Sequence, residues 1–442
     1  MIFPSLAMKL PFRLPAFFAA LFLGLSLFAL GCRTPGAAER PVAETPAGVS
    51  DDAPALPPTV LLISLDGFRY DYLDRYEAPT LKRLAEGGVR ASRGMRVSFP
   101  TKTFPNHYTT VTGLYPEHHG IIANNMYDPK MDAWFSLSNR EAIEDARWWG
   151  GEPLWVTAEK QGQIAGTYFW PGSEAAIEGV RPTYWKRFDG RVPGDERVDE
   201  VLGWLDLPEA ERPTFLTLYF SDVDSEGHRH GPDAPETAAA VARVDGYLAR
   251  LVAGLEARGL FDAVNLIVLA DHGMAATSPE RVIVLDDYLD LDDVVVVDRS
   301  PVFMARPKAG KAEAVFAALE GAHPHLRVYH REETPEKWHF RAHYRIPELI
   351  AVADEGWSIA PERAWFETHR DRFVGGAHGY DNFLPSMHAL FVAHGPAFRR
   401  GLEVAPFENV HLYNLMAHIL GLRPAPNDGD FDVVRGMLRP GS

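Results

Sequence analysis

Val60 to Leu65 is an unbroken apolar, β-branched run that stops at Asp66-Gly67. A short run of this kind, closed by a turn pair, predicts a strand buried on both faces. Pro79 to Glu86 follows with helical spacing, opening on the proline that a first turn favours. Thr214 to Phe220 predicts a second strand and Ala238 to Ala257 a long amphipathic helix. Leu266 to Ala270 predicts a third strand, ending in Asp271-His272-Gly273. Ala389 to Ala393 predicts a fourth, and Val410 to Leu420 a closing helix. Strands alternating with helices imply an α/β fold, a mostly parallel central sheet with helices on both faces. The stretch from Ala275 to Gly376 breaks the alternation with short strands at Val294 to Val297 and Val302 to Ala305 and a helix at Lys311 to Leu319. It reads as an inserted α+β lobe at about residues 277–376, within a folded domain spanning 59–437.

The segment before that domain has a different grammar. Lys9 and Arg13 precede an apolar run from Leu14 to Leu30, and Cys32 comes directly after Ala29-Leu30-Gly31. This resembles a bacterial lipoprotein signal, in which the cysteine is lipidated and becomes the new N-terminus, although Ala29 stands where leucine is usual. Secretion with cleavage near Ala37-Ala38 and an uncleaved membrane anchor are the alternatives. On the lipoprotein reading residues 1–31 are the signal, Cys32 carries the lipid, and the protein is exported to the periplasm or outer membrane. Arg33 after the cysteine, in place of Asp, favours the outer membrane by analogy with lipoprotein sorting. Residues 32–58, rich in Pro, Ala, Thr and acidic side chains without an apolar period, read as a flexible tether.

Composition narrows the function classes. A net charge of -16 over 442 residues argues against coating or stably binding a nucleic acid. An acidic protein still binds an anion where metals supply local positive charge. The lone cysteine excludes an internal disulfide and a cysteine-rich zinc site.

Candidate chemistry collects at strand ends, where open α/β sheets place their functional groups. Asp66 ends the first strand, Asp224 and His228 follow the second in DVDSEGHRHGP, and Asp271 and His272 end the third. His378 lies in GGAHGYDN, a glycine-rich turn after the lobe. Oxygen and imidazole donors without thiolate suit zinc, with manganese or iron as alternatives. Three Asp and three His divide into two three-ligand sites, each with an open position. Thr103, two residues before Pro105, stands where a helix begins. A hydroxyl there either caps the helix or sits beside N–H groups able to receive an anion. His107, His118, His119, His230, His388 and His394 read as structural or surface histidines, and His230 would point away from His228 if that segment is extended.

LISLDGFRYDYL, PTKTFPNHYTTVTGLYPEHHGI, WPGSE, DVDSEGHRHGP, ADHGM and HGYDN occur in this order. Together they resemble the nucleotide pyrophosphatase/phosphodiesterase family of the alkaline phosphatase superfamily, here as a bacterial member, across Val60 to Leu420. The resemblance implies an alkaline phosphatase-like fold and two Zn2+ per chain. It implies that Asp66, Asp271 and His272 hold one zinc and Asp224, His228 and His378 the other. It makes Thr103 the nucleophile and Asn124 a donor to a nonbridging phosphoryl oxygen, with Phe104, Leu137 and Tyr184 bordering the substrate. The implied reaction is hydrolysis of nucleotide phosphodiesters or pyrophosphates to nucleoside 5′-monophosphates through a covalent threonine intermediate. Phosphodiesters of other kinds, such as phospholipid headgroups, and phosphomonoesters are the alternatives, as is a catalytically silent binding protein on the same scaffold. Val223 stands where the family has Pro, Ser138 to Ala142 lack a lysine frequent in vertebrate members, and Phe188 replaces a frequent tyrosine.

Overall fold

The computed structural model describes residues 56–441, so the signal, Cys32 and most of the tether lie outside the described residues. Thr59–Leu65 is buried at every position, as its apolar run requires. It forms the centre of an eight-stranded sheet. The strand order is Leu402–Val404, Val89–Ala91, Phe391–His394, Val264–Leu269, Thr59–Leu65, Phe215–Phe220, Ala165–Tyr168, Tyr184–Lys186. Phe391–His394 runs antiparallel to both neighbours, and the other pairings are parallel. The mostly parallel α/β fold expected from the alternation is therefore the observed one. The short strands at Val89, Ala165, Tyr184 and Leu402 carry too few residues to show a period, which is why the sequence pattern did not mark them.

Parallel register brings the carboxyl ends together. Leu65 pairs with Phe220, and Ser64 with Leu269. The chain beyond each strand is stitched to its neighbour: the Asp66 N–H donates to Phe220 O at 2.9 Å, and the Asp224 N–H to Asp66 O at 3.0 Å. Gly67 makes that approach achievable. Its φ is +68°, and a Cβ there would lie 2.8 Å from the Asp224 Cα.

Residues 294–353 carry a separate antiparallel sheet, Val294–Asp298, Val302–Pro307, Leu349–Ala353 and Leu326–His330 in spatial order. One of its faces closes an apolar cluster of its own around Phe303, Val315, Leu319 and Leu349. At the neck, Ala275–Thr277 pairs antiparallel with Gly375–Ala377, so the chain leaves and re-enters the core through one small ladder. Among the described residues no helix is long and apolar enough to cross a membrane.

Candidate active site

Thr103–Thr112 is a helix with eight of its ten residues buried. Its N-cap is Lys102, in extended conformation and without a capping side chain. Thr103 is thus the first helical residue, not the cap. The turn before it is pinned by Asn106, whose Nδ2 donates to Ser98 O, Pro100 O and Lys102 O while its Oδ1 accepts from the Ser98 N–H. The Phe104 N–H, one of the free helix-terminal donors expected to face an anion, goes instead to Asn124 Oδ1 at 2.9 Å. With that oxygen committed, the Asn124 amide keeps its Nδ2 hydrogens as donors.

Asp222–His230 is a helix, which corrects the extended reading of DVDSEGHRHGP. Four residues of helix place Asp224 and His228 on one face, with Oδ1 and Nε2 3.3 Å apart. His230 is turned about 200° from His228 around the axis and meets Glu226. His378 comes from the far side of the neck ladder to complete a cluster with Asp224 and His228. Asp66, Asp271 and His272 form a second cluster. Within each cluster the donor atoms lie within 4.8 Å of one another.

The donor chemistry fits a divalent cation in each. Asp66 Oδ1, Asp224 Oδ1 and Asp271 Oδ2 are buried without hydrogen-bond partners. Such orphans are costly unless a positive group meets them. All three imidazoles are held from behind through Nδ1: His228 by Gly376 O at 2.9 Å, His272 by Gly273 O at 2.9 Å, His378 by Thr101 O at 2.7 Å. A carbonyl can only accept, so each Nδ1 carries the proton, and a neutral ring then offers the Nε2 lone pair to the site. The Nε2 atoms of His228 and His378 face each other at 3.1 Å, a repulsive contact between lone pairs that a cation relieves.

Electrostatics agree. Burial and the carboxylates of Asp271 and Asp224 push the Asp66 carboxyl well above its usual range. Burial acts the same way on Asp271, but the imidazoles of His272 and His107 outweigh it and hold that carboxyl well below the usual range. Burial lowers His272, and Asp271 outweighs it and holds the imidazole above its ordinary value. Burial and the rings of His272 and His228 push His378 well down. A divalent ion among these carboxylates supplies the positive charge they lack.

The Thr103 hydroxyl lies 3.4 Å from His272 Nε2. Beside it opens a cavity of about 190 Å³ whose lining includes Asp66, Asp224, Thr103, Phe104, Leu137 and Phe188. Tyr184 is elsewhere: its ring stacks on Trp204 at 5.9 Å and its hydroxyl donates to Glu211 O. The aromatic wall comes instead from Phe188, Phe169 and Trp170. Trp185, Lys186 and Arg187 separate Tyr184, packed on Trp204, from Phe188 at the cavity.

Sequence reasoning passed over three further contributors. Arg140 lines the cavity, ion-paired to Glu174. His107, read as structural, is fully buried with Nδ1 2.9 Å from Thr103 O and 3.3 Å from Asp271 Oδ2, and Nε2 2.8 Å from Ser64 Oγ. Tyr219 donates to Asp66 Oδ2 at 2.6 Å. His107 and Tyr219 orient the two carboxylates, and the signal for His107 was its place one helical turn after Thr103.

A sequence model described as Type I phosphodiesterase / nucleotide pyrophosphatase matches residues 60–381. Human ectonucleotide pyrophosphatase/phosphodiesterase family member 5 is 40% identical over 380 residues, 86% of this chain and 78% of that protein. Venom phosphodiesterase CdcPDE of Crotalus durissus collilineatus is 42% identical over 86% of this chain and 46% of its own length. Mouse family member 1 is 42% identical over 88% and 44%. The chain thus spans less than half of these last two. The structure of murine member 5 in an inactive threonine-to-alanine form, in complex with AMP, superposes with a TM-score of 0.82 at 40% identity. The match covers 86% of this chain and 100% of that one.

Proposed function

The chain belongs to the type I phosphodiesterase / nucleotide pyrophosphatase family and is a hydrolase of that kind; from this we propose that it cleaves nucleotide phosphodiester or pyrophosphate bonds through Thr103. One observation carries the reading. A threonine hydroxyl at a helix start lies 3.4 Å from His272, in one of two clusters that each gather three carboxylate and imidazole donors, with buried carboxylate oxygens that have no hydrogen-bond partner. The inactive threonine-to-alanine form of the murine relative, in complex with AMP, supports the same role.

In this reading Asp66, Asp271 and His272 hold one zinc and Asp224, His228 and His378 the other. The ions, when bound, supply the positive charge that activates the hydroxyl and the attacking water and offsets charge on the phosphoryl oxygens. The Thr103 hydroxyl gives up its proton to solvent and its Oγ attacks phosphorus, forming the Oγ–P bond as the bond to the leaving oxygen breaks and that oxygen takes a proton from water. Water then attacks phosphorus, the P–Oγ bond breaks, and a nucleoside 5′-monophosphate leaves with the Thr103 hydroxyl restored. Asn124 Nδ2 donates to a nonbridging oxygen. Phe104, Leu137 and Phe188 flank the nucleoside, whose flat base suits an aromatic wall. Residues 59–437 form the catalytic domain, with the lobe at about 277–376 inserted in it.

Thr103→Ala abolishes turnover of p-nitrophenyl thymidine 5′-monophosphate and leaves the fold and the metal content intact, and Thr103→Ser keeps part of the rate. Elemental analysis finds two zinc ions per chain. A Thr103→Ala enzyme near the wild-type rate, or a single bound metal, overturns the assignment.

We also propose export with a lipid on Cys32 in a bacterial cell, on the signal grammar before that cysteine and the ectoenzyme names of the relatives. A tagged fatty acid then labels the wild-type protein and not Cys32→Ala. An unlabelled wild type removes the anchor from the picture.

A further inference from the structure

Lys102 precedes Thr103 and is buried, 5% exposed. A lysine is seldom buried without a partner. Its ammonium donates to Asp298 Oδ2, and to Ser300 O at 3.3 Å. Asp298 ends a strand of the separate sheet and is itself 7% exposed. Its other oxygen accepts from the Arg299 N–H at 2.9 Å, so the carboxylate is held at both ends. The same lobe segment bears on the HGYDN turn. A Cβ on Gly379 would lie 2.8 Å from Pro301 Cδ and 3.2 Å from Lys102 Cε, so the lobe and the lysine stem close around that glycine. Between the two contacts runs Thr101. Its carbonyl accepts from His378 Nδ1, and its hydroxyl accepts from the Gly379 N–H at 2.8 Å and donates to Tyr380 O at 3.2 Å. The three residues Thr101, Lys102 and Thr103 thus form one strap. It backs His378 at its first residue, is tied to the lobe at its second, and presents the hydroxyl at its third.

The geometry points to Asp298 as a positioning residue for the hydrolysis: through its buried pair with Lys102 the lobe fixes the strap that places both the Thr103 hydroxyl and the His378 imidazole. This rests on the reading of Thr103 as nucleophile and His378 as a metal donor. Neither Lys102 nor Asp298 lines the cavity or belongs to either cluster, so the effect of the pair falls on placement, and a small misplacement of an attacking atom costs rate more than binding. A merely structural pair behaves differently, because apolar residues of similar volume replace a buried ion pair at little cost to stability.

The test uses the zinc-loaded enzyme with Lys102→Met and Asp298→Leu combined, which removes both charges and leaves neither buried alone. The expected result is a melting temperature close to wild type, KM within about threefold, and kcat down by about tenfold or more. Asp298→Glu keeps the charge and lengthens the arm by one methylene. It folds with the pair present and is expected to lower kcat by a similar factor of about ten. A double variant or Asp298→Glu enzyme that melts like wild type and keeps kcat within about twofold overturns the inference. Thr103→Ala, assayed alongside, separates the two levels. Turnover that survives it overturns the nucleophile assignment and this inference together. Loss of turnover there, with kcat intact in the pair variants, overturns the inference alone.

Discussion

Phe188 is 45% exposed at the cavity, its ring edge-on to Phe169 at 5.1 Å and to Tyr219 at 6.1 Å. Two aromatic neighbours hold it upright, and its outer face is open to a flat partner. Leu137, also 45% exposed, is a second open apolar surface of the same cavity. If these side chains hold a nucleoside, Phe188→Ala lowers kcat/KM for p-nitrophenyl thymidine 5′-monophosphate about tenfold, roughly 1.4 kcal/mol of lost contact. Methyl p-nitrophenyl phosphate has no base to lose, and its rate changes little. Tyr184→Phe, which removes only the hydrogen bond to Glu211, leaves both substrates unaffected. Equal loss on both substrates in Phe188→Ala places the nucleoside elsewhere. The two Phe positions differ from Tyr184 in nothing the local sequence displays, and only their neighbours decide which ring faces the cavity.

At the scale of elements, the hairpin Asn125–Asp128 with Ala133–Ser136 lies between Asn124 at its start and Leu137 just past its end. It is anchored at Asp128, which is fully buried and accepts from Arg345 Nε at 2.6 Å and from Tyr344 OH at 2.7 Å. Arg345 also donates to Gly120 O, Trp148 O and Arg147 O, joining the turn at Gly120 and the short helix Ala146–Trp148 to the hairpin. Burial pushes the Asp128 carboxyl up, but the hydrogen bonds from Tyr344 and Arg345 and from the Met131 and Lys130 N–H groups outweigh it and hold the group at about 2. An aspartate depressed in the folded state contributes stability above its unfolded value, near 4, and loses it as pH falls from about 4 toward 2. That contribution is on the order of 2 kcal/mol. Arg345→Met removes the partner and most of the pH slope in this window, and destabilises at neutral pH by about 3 kcal/mol because a buried carboxylate is left alone. Urea unfolding at a series of pH values reads both effects. Parallel stability profiles for the two proteins would rule the pair out as the source of acid lability.

At the scale of the whole molecule, the described residues belong to one compact unit, and the lobe's sheet reaches the core beside the site through Asp298 and Lys102. The core supplies Asp66, Asp224, His228, Asp271 and His272 from the carboxyl ends of adjacent strands. The lobe contributes no donor to either cluster, yet its Asp298 reaches Lys102 and its Arg345 reaches Asp128. Two buried ion pairs therefore join the lobe to the segments bearing Thr103 and Asn124. The overall charge of -16 disfavours polyanions, while the buried carboxylates at the carboxyl ends of the central strands call for cations there. An acidic protein can then take a small phosphate ester without binding a nucleic acid along its surface.

Periodicity and strand-end position are local properties, and the sequence by itself determined what depends on them. The parallel α/β core followed from alternating runs such as Val60 to Leu65 and Ala238 to Ala257. Five of the six candidate donors were legible because strand ends in such a sheet converge, wherever they fall in the chain, and His378 by its glycine-rich turn after the lobe. Their grouping came from the family resemblance, and the structure brings the same trios together. The segment after Phe220 is a helix, and its charged and glycine residues mask the helical period in the sequence. Much of what sets direction at the site was decided by tertiary structure, although His272 is held by the carbonyl of the next residue and Asp224 meets His228 along one helix face. The bond that orients His378 spans 277 residues, the Thr103–His272 approach 169, and the Lys102–Asp298 pair 196. No local window holds both members of such a pair. Which nitrogen of His378 faces the site, which ring borders the cavity and which carboxylate neutralises Lys102 are settled only when the closed core brings distant groups within reach of one another.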